Sequence, residues 1–171
     1  GLCLEELFKA GVRVVGGSAD LGGSTNVKSS VTRDITSDDF AGNYINYGVR
    51  EHAMGAIMNG MALSGLRVFG STFLVFSDYL RPSIRLAALS GLPVVYVLTH
   101  DSVAVGEDGQ THQPIEQLPS LRLMPNLNVF RPCNGVEVMY AWRRALTEKT
   151  RPSCIVLSRQ LIGLVATPLG A

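Results

Sequence analysis

The sequence predicts an α/β fold: a doubly wound, mostly parallel sheet with helices on both faces. Three observations carry that expectation. Strand-like and helix-like stretches alternate along the chain. The strongest strand candidate, Leu-Pro-Val-Val-Tyr-Val-Leu at residues 92–98, is an almost unbroken apolar run, which suits a central parallel strand. Polar, chemistry-bearing residues fall directly after the strands, at the edge where open α/β sheets bind ligands. Composition agrees. Of 171 residues 46% are hydrophobic and 17% charged, enough apolar material for one domain with a sizeable core.

The formal net charge is +1 and no basic block occurs, so no nucleic-acid footprint is expected. No apolar run reaches the length of a membrane span and no signal peptide is recognisable, so a cytoplasmic protein is expected. Cys3, Cys133 and Cys154 are scattered and lack metal-ligand spacing. They read as reduced, mostly buried thiols.

In chain order, residues 2–10 carry apolar side chains at helical spacing, with Gly11 as the C-terminal stop. Residues 12–17 read as the first strand, and residues 18–26 as a polar loop holding Asp20 and Ser24. Residues 28–42 show no period and are expected to wander over the surface. Residues 44–47 form a short strand, and residues 53–64 a buried helix rich in Ala, Met, Gly and Leu. Glu51 falls at that junction, where a helix dipole stabilises a carboxylate. Such an acid at a helix start can also be only a cap.

Residues 66–70 form a third strand. Phe73, Phe76 and Tyr79 follow at intervals of three, which predicts one shared helical face on a helix running to Leu89. On spacing alone that stripe is either core packing or an aromatic wall for a flat ring. The segment after the apolar strand, residues 99–114, is too long and polar for a plain connection and contains His100, Asp108 and His112. A short helix at 115–123, a strand at 128–132, an amphipathic helix at 136–148 with Trp142 half-buried, and a last strand at 153–157 complete the pattern. Arg159 stands just past that strand, where a guanidinium can grip a phosphate with two parallel hydrogen bonds or form a surface ion pair. Residues 161–171 show no clear element. Asp20, Ser24, Glu51, His100, Asp108, His112 and Arg159 would all face one edge of the sheet.

Gly17-Ser18-Ala19-Asp20-Leu21, Tyr47-Gly48-Val49-Arg50-Glu51, Ser71-Thr72-Phe73-Leu74-Val75-Phe76, Thr99-His100-Asp101-Ser102, Gly106-Glu107-Asp108-Gly109-Gln110-Thr111-His112-Gln113-Pro114 and Leu157-Ser158-Arg159-Gln160 run in the order of a known family and cover nearly the whole chain. Together they resemble the middle, pyrimidine-binding domain of the transketolases, thiamine-diphosphate enzymes. The histidine loop and the final Ser-Arg-Gln resemble transketolase more than deoxyxylulose-phosphate synthase or pyruvate-dehydrogenase-type relatives.

The resemblance implies roles. Glu51 would hydrogen-bond a ring nitrogen of the cofactor aminopyrimidine, favouring the imino form that takes a proton from the thiazolium. For this the carboxyl must carry or share a proton, a state that burial favours against the helix dipole. Phe73 and Phe76 would pack around the pyrimidine with Tyr79 beside them, and Asp20 would lie near the cofactor. His112 and Asp108 would meet the sugar hydroxyls and carbonyl. His100, Arg159 and Ser24 would hold the sugar phosphate. The implied reaction moves a two-carbon ketol unit from a ketose phosphate to an aldose phosphate, within the pentose phosphate pathway.

One departure stands out. The family's Gly-Asp-Gly…Asn motif for the diphosphate and its Mg or Ca ion is missing, since Asp108-Gly109 follows Glu107 and belongs to the histidine loop. We therefore expect residues 1–171 to be a single domain, without the diphosphate-binding and carboxyl-terminal domains. It would supply half of a site completed by a second subunit of a homodimer. A helical start is expected of an excised domain rather than a split-gene product. Two other readings stay open: a related thiamine enzyme such as a synthase or dehydrogenase subunit, and a non-catalytic module with the same fold. Retention of Glu51 argues against the module.

Overall fold

The computed structural model describes residues 1–162. Its elements, in order, are α1 (Leu2–Lys9), β1 (Gly16–Ser18), β2 (Tyr44–Asn46), α2 (Glu51–Leu63), β3 (Val68–Phe73), α3 (Ser77–Leu89), β4 (Val94–Thr99), α4 (Gln117–Arg122), β5 (Asn128–Phe130), α5 (Gly135–Thr147) and β6 (Ser153–Val156). The six strands form one sheet in the order β2-β1-β3-β4-β6-β5. Every pairing is parallel. All carboxyl ends therefore lie on one edge. Strand order reverses at β1, with β2 on one side and β3 on the other, so the crevice above β1 and β3 is the topological switch point.

Side chains alternate across the central strands. Val94, Tyr96 and Leu98 of β4 pack with Met54 and Met58 of α2, Leu80 and Ile84 of α3, and Leu121 of α4. Val95 and Val97 face the other way, with Leu4 of α1 and Ala141, Trp142 and Ala145 of α5. Helices thus cover both faces, and β4 is buried along its whole length. Burial of a large aliphatic side chain is worth ~1.5–3 kcal/mol, so these two layers supply the main driving force.

Several boundaries differ from expectation, each for a local reason. The first strand starts later because the Val12 N–H donates back to Leu7 O, prolonging the α1 turn. The ladder opens only at the Val15–Val68 bridge. Leu66 likewise donates to Met61 O and closes α2, so β3 begins at Val68. β3 then runs on to Phe73, which lies at a strand end and shares no helix with Phe76 and Tyr79. α4 starts two residues late, since the Ile115 N–H is taken by the Gln117 side chain at 3.0 Å. Trp142 is fully buried, 4% exposed, edge-on to Phe69 with ring centroids 5.7 Å apart. α2 is buried on one side only, leaving Ile57 and Leu63 exposed. Of the cysteines only Cys154 is buried; Cys133 is exposed and Cys3 half-buried. Residues 28–42 carry no helix or strand, as expected. The expectation for residues 163–171 lies outside the described residues.

β1 is held unusually close to both neighbours. A Cβ on Gly16 would stand 1.9 Å from the Phe69 ring, and one on Gly17 would stand 2.3 Å from Ile45 O. Only glycine fits between them.

Candidate active site

Five strand ends, those of β1, β2, β3, β4 and β6, supply the edge. At the end of β2, Gly48 takes φ +69 and turns the chain into α2, whose first residue is Glu51. Glu51 is 8% exposed, and among the described residues no side chain or backbone N–H hydrogen-bonds its carboxylate. The Arg50 guanidinium turns away, donating to Tyr47 O at 3.2 Å. A buried polar group without a partner is costly, so a hydrogen bond from a ligand would relieve it.

At the ends of β3 and β4 a series of rings forms. Phe73 stacks on His100 with centroids 3.7 Å apart and planes at 22°. Phe73 and Phe76 lie parallel at 5.8 Å, and Phe76 meets Tyr79 at 6.3 Å. His112 stands edge-on to Phe76 at 5.2 Å and to Phe73 at 6.2 Å. The predicted triad of aromatic residues is therefore adjacent in space, although the end of β3, the residue before α3 and the first turn of α3 carry it rather than one helix. Tyr79 is exposed at the outer end, while Phe73 is buried.

His100 is buried with φ +64, in the left-handed region that few non-glycine residues adopt. Thr99 Oγ1 lies 2.8 Å from its Nδ1. Its pKa is pushed below the ordinary 6.5, first by burial and then by the Arg159 charge and His112, against a pull from Asp108. At neutral pH the ring is uncharged and can both donate and accept. Asp108 and His112 sit on two short 3₁₀ turns, Gly106–Asp108 and Gln110–His112. Asp108 is exposed and His112 half-exposed with its Nδ1 2.9 Å from Thr111 Oγ1. Arg159, past the end of β6, is exposed.

The edge thus brings together Phe73, Phe76, Tyr79, His100 and His112 by ring contact, and sets Asp108 and Arg159 near enough to act on the His100 charge. Glu51, Asp20 and Ser24 stand apart from this series; no hydrogen bond joins them to it among the described residues. Asp20 and Ser24 are exposed on the loop after β1, Asp20 with φ +63.

Sequence reasoning missed what holds that loop. Thr25 is buried, its Oγ1 donating to Leu21 O at 2.9 Å and lying 3.0 Å from Ser71 Oγ. Ser18 Oγ donates to Ser71 O at 3.1 Å and accepts from the Leu21 N–H at 3.2 Å. These hydroxyls fill the switch point between β1 and β3. The run of Ser and Thr in residues 18–25 was the available signal, but burial singles out Thr25 where sequence reasoning chose Ser24.

A cavity of about 820 Å³ lies elsewhere, between α1 and α5, lined mainly by Leu2, Leu7, Val12, Met139, Trp142 and Leu146. It holds none of the edge residues. Among the described residues no group of three or more His, Cys, Asp or Glu is placed to hold a metal ion, and no helix is long and apolar enough to cross a membrane.

The family model for the transketolase pyrimidine-binding domain matches residues 1–164. A transketolase of Halalkalibacterium halodurans is 56% identical over 161 residues, covering 94% of this chain and 24% of that protein. Among solved structures, a Campylobacter jejuni transketolase superposes with TM-score 0.89 and 45% identity, over 98% of this chain and 26% of its own. A Pichia stipitis transketolase in complex with sedoheptulose 7-phosphate superposes with TM-score 0.86 and 44% identity, over 90% of this chain and 24% of its own. The chain thus spans about a quarter of the length of these relatives.

Proposed function

The chain belongs to the transketolase pyrimidine-binding domain family, and from that premise we propose that it is the part of a ketol-transferring enzyme that grips the aminopyrimidine of thiamine diphosphate and part of a sugar phosphate. The observation that carries this reading is Glu51: a buried carboxylate at a helix start, without a partner among the described residues. A carboxyl that carries or shares a proton can donate to a ring nitrogen of an aminopyrimidine, so the residues present fit the group.

When bound, thiamine diphosphate supplies the nucleophilic carbon and the electron sink for breaking and forming the carbon–carbon bond. The chain's own residues bind, orient and move protons. Glu51 would hydrogen-bond the pyrimidine nitrogen and share its proton with it. Phe73, Phe76 and Tyr79 offer flat apolar faces to the ring, with Asp20 nearby. His112 and Asp108 meet the substrate carbonyl and hydroxyls, where an imidazole can relay a proton. His100, Arg159 and Ser24 receive the phosphate. The neutral state of His100 lets it donate to a phosphate oxygen while Arg159 brings the charge.

The diphosphate and its Mg or Ca ion are assigned to the diphosphate-binding domain of a second subunit in a homodimer, within the cytoplasm and the pentose phosphate pathway. Residues 1–171 are read as one domain, with the diphosphate-binding and carboxyl-terminal domains elsewhere in the enzyme. Val49, Ile57 and Leu63, large apolar side chains left exposed on and beside α2, support a covered face there.

The test is the complete enzyme assayed with xylulose 5-phosphate and ribose 5-phosphate. Two-carbon transfer is expected, and its absence with cofactor bound would overturn the reading. The 171-residue chain alone should bind thiamine diphosphate and magnesium weakly or not at all by calorimetry. A sub-micromolar affinity, more than ~8 kcal/mol of binding free energy, would overturn the half-site assignment.

A further inference from the structure

Asp101 and Arg131 have no part in the scheme above, yet they meet at the same edge. Arg131 Nε donates to Asp101 Oδ2 at 2.5 Å, with the two side chains 26% and 18% exposed. Arg131 is the first residue past β5, and Asp101 the second past β4. These strands are not neighbours, because β6 lies between them. The ion pair therefore reaches across the end of β6. The Asp101 N–H donates to Leu157 O, the first residue past β6, at 3.0 Å. Arg131 Nη1 also donates to Pro132 O at 3.3 Å. One aspartate thus ties three strand ends together.

Two of the three groups assigned to the phosphate hang from this knot. His100 precedes Asp101 directly, and Arg159 lies two residues past Leu157. His100 also holds a left-handed backbone, a conformation that persists only where its surroundings over-determine it. The Phe73 stack holds the ring from β3, and the Ser102 N–H donates to His100 O from the following loop. The Asp101 pair fixes the next link of the chain, and with it the interval from His100 to Arg159.

We propose that Arg131 is a positioning residue of the sugar-phosphate site: through Asp101 it sets His100 and Arg159 at the spacing a phosphate requires, without touching substrate. This rests on the functional reading given above. A partly buried guanidinium–carboxylate pair suits the task, since its planar fork fixes direction as well as distance.

The experiment uses Arg131→Ala, Arg131→Lys and Asp101→Asn in the complete enzyme, with a phosphorylated ketose and with hydroxypyruvate as alternative donors. Arg131→Ala should raise KM for the phosphorylated donor about tenfold, the low end of what loss of a residue orienting a ligand-binding side chain costs at metal sites. The KM for hydroxypyruvate and both kcat values should stay within about twofold, as for a contact made equally in ground and transition states. Arg131→Lys should recover part of the loss, and Asp101→Asn should repeat it. Equal losses on both donors, or no change in KM, would overturn the proposal.

A second readout does not depend on activity. In the 171-residue chain, the His100 ring followed by NMR faces Phe73, Thr99, His112, Asp108 and Arg159. With Arg131→Ala its titration should move up towards 6.5 as burial loosens and the Arg159 charge moves away. An unchanged titration in a folded variant would reject the positioning role, even if the wild-type enzyme proved to have another activity. A wild-type enzyme without ketol transfer, but with the shifted titration, would reject the functional reading and keep the positioning role.

Discussion

The cavity between α1 and α5 and the carboxyl edge of the sheet are opposite kinds of recess. The cavity holds about 820 Å³ and is walled mainly by aliphatic side chains and Trp142. Glu6, Arg67 and Arg143 are the charged groups on its wall. The edge instead concentrates a buried carboxylate, two histidines, a ring series and two non-glycine residues with positive φ, Asp20 and His100. Space alone is created wherever two helices diverge. Strain and unpaired polarity persist only where the fold imposes them, and functional sites are where they gather. The edge therefore carries the chemistry, and variants in the two regions should differ accordingly.

Glu51→Gln in the complete enzyme should have the greatest effect. The amide still donates a hydrogen bond but cannot share a proton. Turnover should fall at least ~100-fold, the low end for a positioned proton-transfer group, and cofactor affinity much less. Deuterium exchange at the thiazolium carbon as fast as in wild type would remove Glu51 from that role.

Arg159→Ala should come next. Loss of a charged hydrogen bond, roughly 1.5–3 kcal/mol, raises KM for phosphorylated sugars about 10- to 150-fold while leaving hydroxypyruvate nearly untouched. Kinetics on the two donors decide it, and equal losses would take the phosphate away from Arg159.

His100 gives a pH signature of intermediate size. Its folded-state pKa lies below 6.5, so the unfolded chain takes up the proton first as pH falls. The stability it contributes is complete above about 6.5 and is lost as pH drops through the folded value. His100→Asn tolerates the left-handed backbone but does not titrate. Thermal midpoints measured from pH 5 to 7 should rise less steeply for this variant than for wild type. Parallel curves would mean that the ring titrates as it does in the unfolded chain.

The smallest effect belongs to the cavity. Met139→Ser, at an exposed position on its wall, should change stability by no more than ~0.5 kcal/mol and leave turnover in the complete enzyme unaltered. A turnover loss as large as that from Arg159→Ala would erase the distinction between the two recesses.

What the sequence made legible followed burial. β4 was readable because all its residues are apolar or inward-facing, and α2 because Met54 and Met58 recur at helical spacing. The end of β3 was hidden, because Ser71 and Thr72 look like loop residues and yet are fully buried. Ser71 is stable there because Ser18, Gly17 and Thr25 satisfy its backbone and hydroxyl. The aromatic series was found by spacing, although the single helical face inferred from it was wrong. The Arg131–Asp101 pair was invisible, since its members are 30 residues apart and meet only through sheet order.

The two glycines of β1 also work as a gauge. Glu51 hangs from the end of β2 and Phe73 from the end of β3, with β1 between them. Two parallel strand spacings, about 9–10 Å in all, separate these strand ends. A methyl group at Gly17 would press on Ile45 O and push β2 outward, while one at Gly16 would press on Phe69 and push β3 the other way. Either would widen the gap between acid and aromatic rings with no change to a single edge residue. The bore of the site is thus cut by side chains that are missing, and a mutational survey confined to the residues facing a ligand would never find what sets it.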